Sequence, residues 1–213
     1  MSEFAPAVVV TAGSTDPSAP LVVLLHGRGS HEGEILGLAS YLPQSFAYSA
    51  VRAPIDLGGG FAWFANRGIG RPVPESLRGT MDWFRTWLDV AAPPGRPVVL
   101  VGFSGGAAFA GGLLLDDPER FAAAAVLYGT MPFDAGVPVT AGRLDAIPVL
   151  TARGAADTMI PAELYDRTST YLADESGAAL AEHLYPGGHG FTEQAVADLA
   201  AWLGSLGLGS SAA

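Results

Sequence analysis

A chain of 213 residues, 49% hydrophobic and 15% charged, has the length of one domain and enough apolar material for a full core, which excludes a disordered chain. Its formal net charge of −10 argues against nucleic acid or an anionic membrane surface as a partner. All 11 basic residues are arginine and no cysteine occurs; this excludes lysine Schiff-base and pyridoxal-phosphate chemistry, a P-loop lysine, a thiolate zinc site, a cysteine nucleophile and disulfides. No apolar run has the length of a signal h-region or a membrane span, so a cytoplasmic protein with no membrane partner is expected.

In chain order, residues 6–11 and 21–26 read as strands separated by the turn-rich stretch 13–20, which predicts an opening hairpin. A third β-type run covers 47–52. The long stretch 53–73 is rich in Gly and Pro, reads as irregular, and carries Phe61, Trp63 and Phe64, whose bulk argues for order. Next, Leu77, Met81, Phe84 and Leu88 share one helical face, with Arg78, Asp82, Arg85 and Asp89 on the other. Strand 97–102 leads into a small-residue helix from Ala107 to Leu115, and strands over 123–128 and 147–152 follow. Pro161 is placed as a first-turn proline of a helix whose stripe is Leu164, Thr168 and Tyr171. A last strand, 181–185, precedes a stripe of Val196, Leu199, Leu203 and Leu206. The interior runs are almost continuously apolar, as in parallel strands covered on both faces. This alternation predicts an α/β fold: one domain over 1–205, a mostly parallel doubly wound sheet with helices on both faces, and a flexible C-terminal tail over 206–213.

The most specific signal is Gly102-Phe103-Ser104-Gly105-Gly106, a G-x-S-x-G segment between an apolar strand and a helix. A strand-to-helix turn this tight admits only small residues two before and two after the serine, and it lifts the hydroxyl above the carboxyl edge of the sheet. The helix then aims its N-terminal N–H groups at the place where an oxyanion would form. Serine is a weak nucleophile without a base, and the base needs an orienting acid. After Ser104 the histidines are His183, inside a β-type run with its side chain toward a helix layer or solvent, and His189, in a glycine turn at the carboxyl edge. His189 is the candidate base. For the acid, Asp157 follows strand 147–152 at that edge and also suits an N-cap or Asx-turn. Asp134 could reach the site from the preceding strand, whereas Asp145 lies at the opposite edge.

An oxyanion hole needs a second N–H besides that of Gly105. The loop Leu25-His26-Gly27-Arg28-Gly29 can supply it from Arg28, with His26 bracing the loop. His31-Glu32-Gly33-Glu34 lacks the spacing of a metal site and reads as a solvated helix start; no metal and no cofactor are expected. Gly27-Arg28-Gly29 lacks the third glycine of a dinucleotide fingerprint.

Together these segments resemble the phospholipase/carboxylesterase group of α/β-hydrolases, which includes the acyl-protein thioesterases. The carriers are Leu25-His26-Gly27, Arg52-Ala53-Pro54, Ala62-Trp63-Phe64, the serine turn, the segment from Gly154 to Pro161, and Gly188-His189. The resemblance implies Ser104, Asp157 and His189 as a catalytic triad, with the backbone N–H groups of Arg28 and Gly105 as oxyanion donors. Such thioesterases usually have glutamine after the nucleophile, where this chain has Gly105. That departure favours a carboxylesterase acting on small ester substrates with short to medium acyl chains. Thioesterase, amidase and perhydrolase activities use the same acyl-serine, and a ligand-binding protein that has lost turnover is the rival outside enzymes. Trp63, Phe64 and Met159 are the expected substrate-pocket residues, with Trp63 as an apolar wall or, in the alternative, packing the loop onto the core, and Arg67 or Arg71 could attract a substrate carboxylate. The α/β core consumes nearly the whole chain, so no lid domain is expected.

Overall fold

Leu21–Leu25 (β2) is apolar at every position because both of its faces are covered. Leu21, Val23 and Leu25 enter one core, and Val22 and Leu24 enter the other. The structure, a computed structural model, describes residues 4–208. The first three residues and most of the expected tail therefore lie outside the described residues.

Around β2 stand Val9–Gly13 (β1), Ala47–Val51 (β3), Val98–Phe103 (β6), Ala123–Leu127 (β7), Pro148–Gly154 (β8) and Ala179–Tyr185 (β9). Two short strands, Ile55–Asp56 (β4) and Phe61–Ala62 (β5), form a separate ribbon. The main sheet runs β1-β3-β2-β6-β7-β8-β9. Only β1 is antiparallel to its neighbour. The expected opening hairpin does not form: β1 pairs with β3, from Val9 opposite Val51 to Gly13 opposite Ala47, and β3 separates it from β2. An edge strand needs only one neighbour, and local turn residues do not say which.

The helices lie on both faces. Pro74–Ala91 (α2) and Gly105–Asp116 (α3) share one core with the turn after Ala162–Thr170 (α4); Glu32–Leu36 (α1) and Glu193–Ser205 (α5) share the other. In α2 the predicted stripe is buried, and Arg85 on the polar face pairs with Asp82 and Asp116. In α4 the expected stripe holds at Thr168 and Tyr171, which are buried, and fails at Leu164. Tyr165 and Thr168 face inward, Leu164 is half-buried, and Pro161 is the N-cap rather than a first-turn residue. A π turn over Tyr171–Glu175 continues the chain, so a strict helical period does not persist. No helical insertion covers the carboxyl edge of the sheet among the described residues.

Candidate active site

The parallel strands β2, β6, β7, β8 and β9 all end at one edge, and their following loops build the site. Ser104 occupies the turn between β6 and α3 with φ 54° and ψ −114°, a conformation few non-glycine residues tolerate. Two glycines make this possible. A Cβ on Gly102 would overlap the carbonyl oxygen of Gly106, and one on Gly106 would overlap those of Leu25 and His26. The second restriction comes from β2, not from the serine turn itself. The turn is pinned from β7 by the Ser104 N–H donating to Leu127 O at 2.9 Å.

The structure brings Ser104, His189 and Asp157 into one hydrogen-bonded chain. His189 Nε2 lies 2.8 Å from Ser104 Oγ, and His189 Nδ1 lies 2.8 Å from Asp157 Oδ2. Asp157 Oδ1 accepts from the backbone N–H groups of Met159 at 2.8 Å and Ile160 at 3.3 Å. This is an Asx-turn; α4 receives no side-chain cap, so the N-cap alternative drops out. The side chain of Asp157 is 1% exposed. Burial works to raise its pKa, but hydrogen bonds from Tyr165, His189 and the two backbone groups overcome that and hold it below the usual aspartate value. A carboxylate so satisfied stays ionised and accepts from Nδ1, which leaves Nε2 as the lone-pair nitrogen facing Ser104.

Tyr165 is the residue that sequence reasoning missed. Its hydroxyl donates to Asp157 Oδ2 at 2.6 Å, the same oxygen that meets His189. The first turn of α4 returns over the Asx-turn and delivers it, and the guanidinium of Arg153 sits over its ring. A correct phase for α4 would have found it, because Tyr165 shares the inward face with Thr168. Asp134, the other acid at this edge, instead pairs with Arg167 and is exposed. His183 is part-exposed on β9, stacked on Tyr185.

The loop after β2 meets the serine turn closely. A Cβ on Gly105 would lie 3.2 Å from the Arg28 N atom and 3.4 Å from its Cβ, so glycine keeps the space before both N–H groups open. Among the described residues neither N–H donates to a protein acceptor. His26 braces the loop from beneath and is fully buried. Its Nε2 accepts from Ala53 N–H at 3.1 Å, so the proton resides on Nδ1, which donates to Gly27 O at 2.8 Å. Burial depresses its pKa, and it serves as a neutral strut. Glu32 is not the solvated helix-start residue expected. It is 5% exposed and is held by a two-pronged ion pair from Arg52.

The pocket over Ser104 holds about 310 Å³ and is walled largely by apolar groups, among them Phe64, Ile69, Pro132, Met159 and Ile160. Phe64 and Met159 line this cavity. Trp63 does not. It is 1% exposed, stacks on Phe109 at 4.5 Å with an interplanar angle of 13°, and donates from Nε1 to His26 O at 2.8 Å. The expectation of a pocket wall is corrected to a core residue under the β2 loop, because the loop's backbone carbonyl gives the buried indole N–H its partner. Arg67 and Arg71 are exposed and line no part of this pocket. The stretch 53–73 is also less irregular than its composition implied: β4 and β5 pair within it, and Phe61 bridges to Ser30.

The doubly wound sheet, with a serine turn after its central strand and a histidine and an aspartate converging from later strands, defines an α/β-hydrolase fold. This chain belongs to the phospholipase/carboxylesterase family, whose sequence model matches residues 6–206. It is 26% identical over 190 residues to the Bacillus subtilis (strain 168) protein MhqD, covering 85% of this chain and 91% of that one. It superimposes on the Bacillus cereus carboxylesterase with a TM-score of 0.83 at 24% identity, covering 94% of each chain. The likeness to Zea mays acyl-protein thioesterase 2 has a TM-score of 0.77 at 21% identity, over 93% and 98% of the two chains. At these identities the structural likenesses speak for the fold alone.

Proposed function

We propose that this protein is a serine carboxylesterase for small, uncharged esters with short to medium acyl chains. The observation that carries the reading is the unbroken chain from Ser104 Oγ through His189 to Asp157, with two 2.8 Å links, beside two uncommitted backbone N–H groups. In this reading His189 Nε2 takes the Ser104 proton as Oγ attacks the acyl carbon. The N–H groups of Arg28 and Gly105 receive the developing oxyanion, and Asp157 stabilises the imidazolium. His189 then hands the proton to the leaving alcohol. Water, deprotonated by the same nitrogen, releases the acid from the acyl-enzyme. A pocket of about 310 Å³ with apolar walls suits a short acyl chain. Its opening needs no lid to move, so no rate jump is expected at the critical micelle concentration.

The test is covalent labelling joined to turnover. A fluorophosphonate probe should modify Ser104 in the wild type and nothing in Ser104→Ala. p-Nitrophenyl acetate and butyrate should be hydrolysed with burst kinetics. Absence of labelling, or hydrolysis that survives Ser104→Ala, overturns the reading in favour of a ligand-binding protein on a hydrolase scaffold. Parallel assays with acyl-CoA thioesters and anilides rank the leaving groups, since all would pass through the same acyl-serine.

A further inference from the structure

A second and larger concavity opens on the other side of the serine turn. It holds about 780 Å³ and runs between α1 with its following turn and α5. Ile35, Leu38, Tyr41, Phe191 and Val196 supply an apolar lining. Tyr41 is 72% exposed at its rim. The groove lies next to the pocket over Ser104: Gly27, Ser30 and Phe103 line both. Gly27 packs closely at their boundary: a Cβ there would stand 3.1 Å from the Phe103 ring and 3.4 Å from Ser104 Cβ.

Resting on the esterase reading, we infer that this groove binds the apolar alkyl or aryl part of the alcohol in a neutral ester, while the smaller pocket takes the acyl group. The chemistry assigns the sides. The leaving oxygen must sit beside His189 Nε2 to receive its proton. The Phe103 ring lies 5.2 Å from the His189 ring and 5.0 Å from that of Phe191, so an aromatic that lines the groove also flanks the imidazole. The acyl side is left with the pocket behind α3, walled by Ala108, Thr130 and Pro132. Charge narrows the occupant further. Glu34 and Glu193 line the groove and no arginine does, so an anionic alcohol would meet like charge without a partner.

Two substrate series test this: acetates of alcohols from methanol to hexanol, and methyl esters of acids from acetate to hexanoate. Each methylene that enters the groove should raise kcat/KM by about two- to fourfold, the fourfold limit being full burial. The hexyl-to-methyl acetate ratio should therefore exceed tenfold. Ala197→Trp, on the exposed groove side of α5, should collapse that ratio towards one while leaving the hexanoate-to-acetate ratio as in the wild type. Should the variant not fold, inhibition of the wild type by free 1-alkanols gives the same information, with Ki falling from ethanol to hexanol. A flat alcohol series and flat alkanol inhibition, or a variant that alters the acyl ratio instead, overturns the inference. These failures differ from failure of the esterase reading, in which no ester turns over and the fluorophosphonate leaves Ser104 unmodified.

Discussion

The turn over residues 102–106 and the loop over 53–73 both lie at the carboxyl edge of the sheet, yet they hold their shapes by opposite means. The turn is strained, nearly without side chains, and defined by what cannot fit: Cβ atoms at Gly102 and Gly106 would overlap backbone oxygens. The loop is defined by what fills it. Trp63 and Phe64 are buried, the Trp63 ring lies on Phe109, and its N–H holds His26 O. One region holds the Ser104 hydroxyl beside His189, and the other supports the Arg28 loop. A local steric rule is visible in five residues, whereas packing depends on partners brought from elsewhere in the chain.

The sharpest separation of these two regions comes from a pair of substitutions. Ser104→Ala should lower kcat by roughly 10³-fold or more, with the denaturant midpoint little changed, because alanine keeps a Cβ at the same positive φ. A stability loss with retained turnover would assign the turn to structure alone. Trp63→Ala should do the reverse. Removing a fully buried indole is expected to cost about 3–5 kcal/mol of stability. It should lower kcat/KM for every ester to a similar degree, because it loosens the Arg28 loop rather than reshaping a wall. Circular dichroism melts with an acyl-length series check this; a changed ranking of acyl chains at constant stability would restore Trp63 to the pocket.

A smaller effect is expected one step behind the histidine. Tyr165→Phe removes one of four donors to Asp157, and a hydrogen bond to a charged group contributes about 1.5–3 kcal/mol. Turnover should fall by about tenfold, well short of the Ser104→Ala loss. Asp157→Asn should fall further, because it also removes control of the imidazole tautomer. Equal losses in the two variants would mean that Tyr165 does more than support the carboxylate.

The smallest effect concerns pH. Asp157 has a folded-state pKa below the ordinary 3.8, so the folded state binds its proton less readily than the unfolded state. Its contribution to stability is fully present above the unfolded pKa and is lost as pH falls through the folded one. The urea midpoint should change little from pH 8 to about 5 on this account, then decline below about pH 4. In Tyr165→Phe, with one lowering interaction gone, this part of the decline should be shallower. An identical acid limb in wild type and variant would break the link. Glu32, held low by Arg52, adds a loss of the same sign in both proteins, so the difference between them isolates Asp157.

The strand-helix alternation is legible in the sequence, because strands covered on both faces must be apolar throughout. The sequence also pointed to Ser104, Asp157 and His189: the turn chemistry is local, and each following loop must end at the same edge of a parallel sheet. Which strand β1 joins emerges from the folded structure alone, since an edge strand carries no local mark of its partner. The folded structure moved Trp63 from the pocket to the core, because an indole beside a cleft and one beneath it have the same sequence pattern. It paired Glu32 with Arg52 across 20 residues. It also brought Tyr165 onto Asp157, because the phase of a short helix after a proline is set by packing against the sheet. The two concavities flanking Ser104 belong to this second class as well. Their walls come from loops and helices far apart in the chain, and only the crossing of those elements over the sheet sets them side by side.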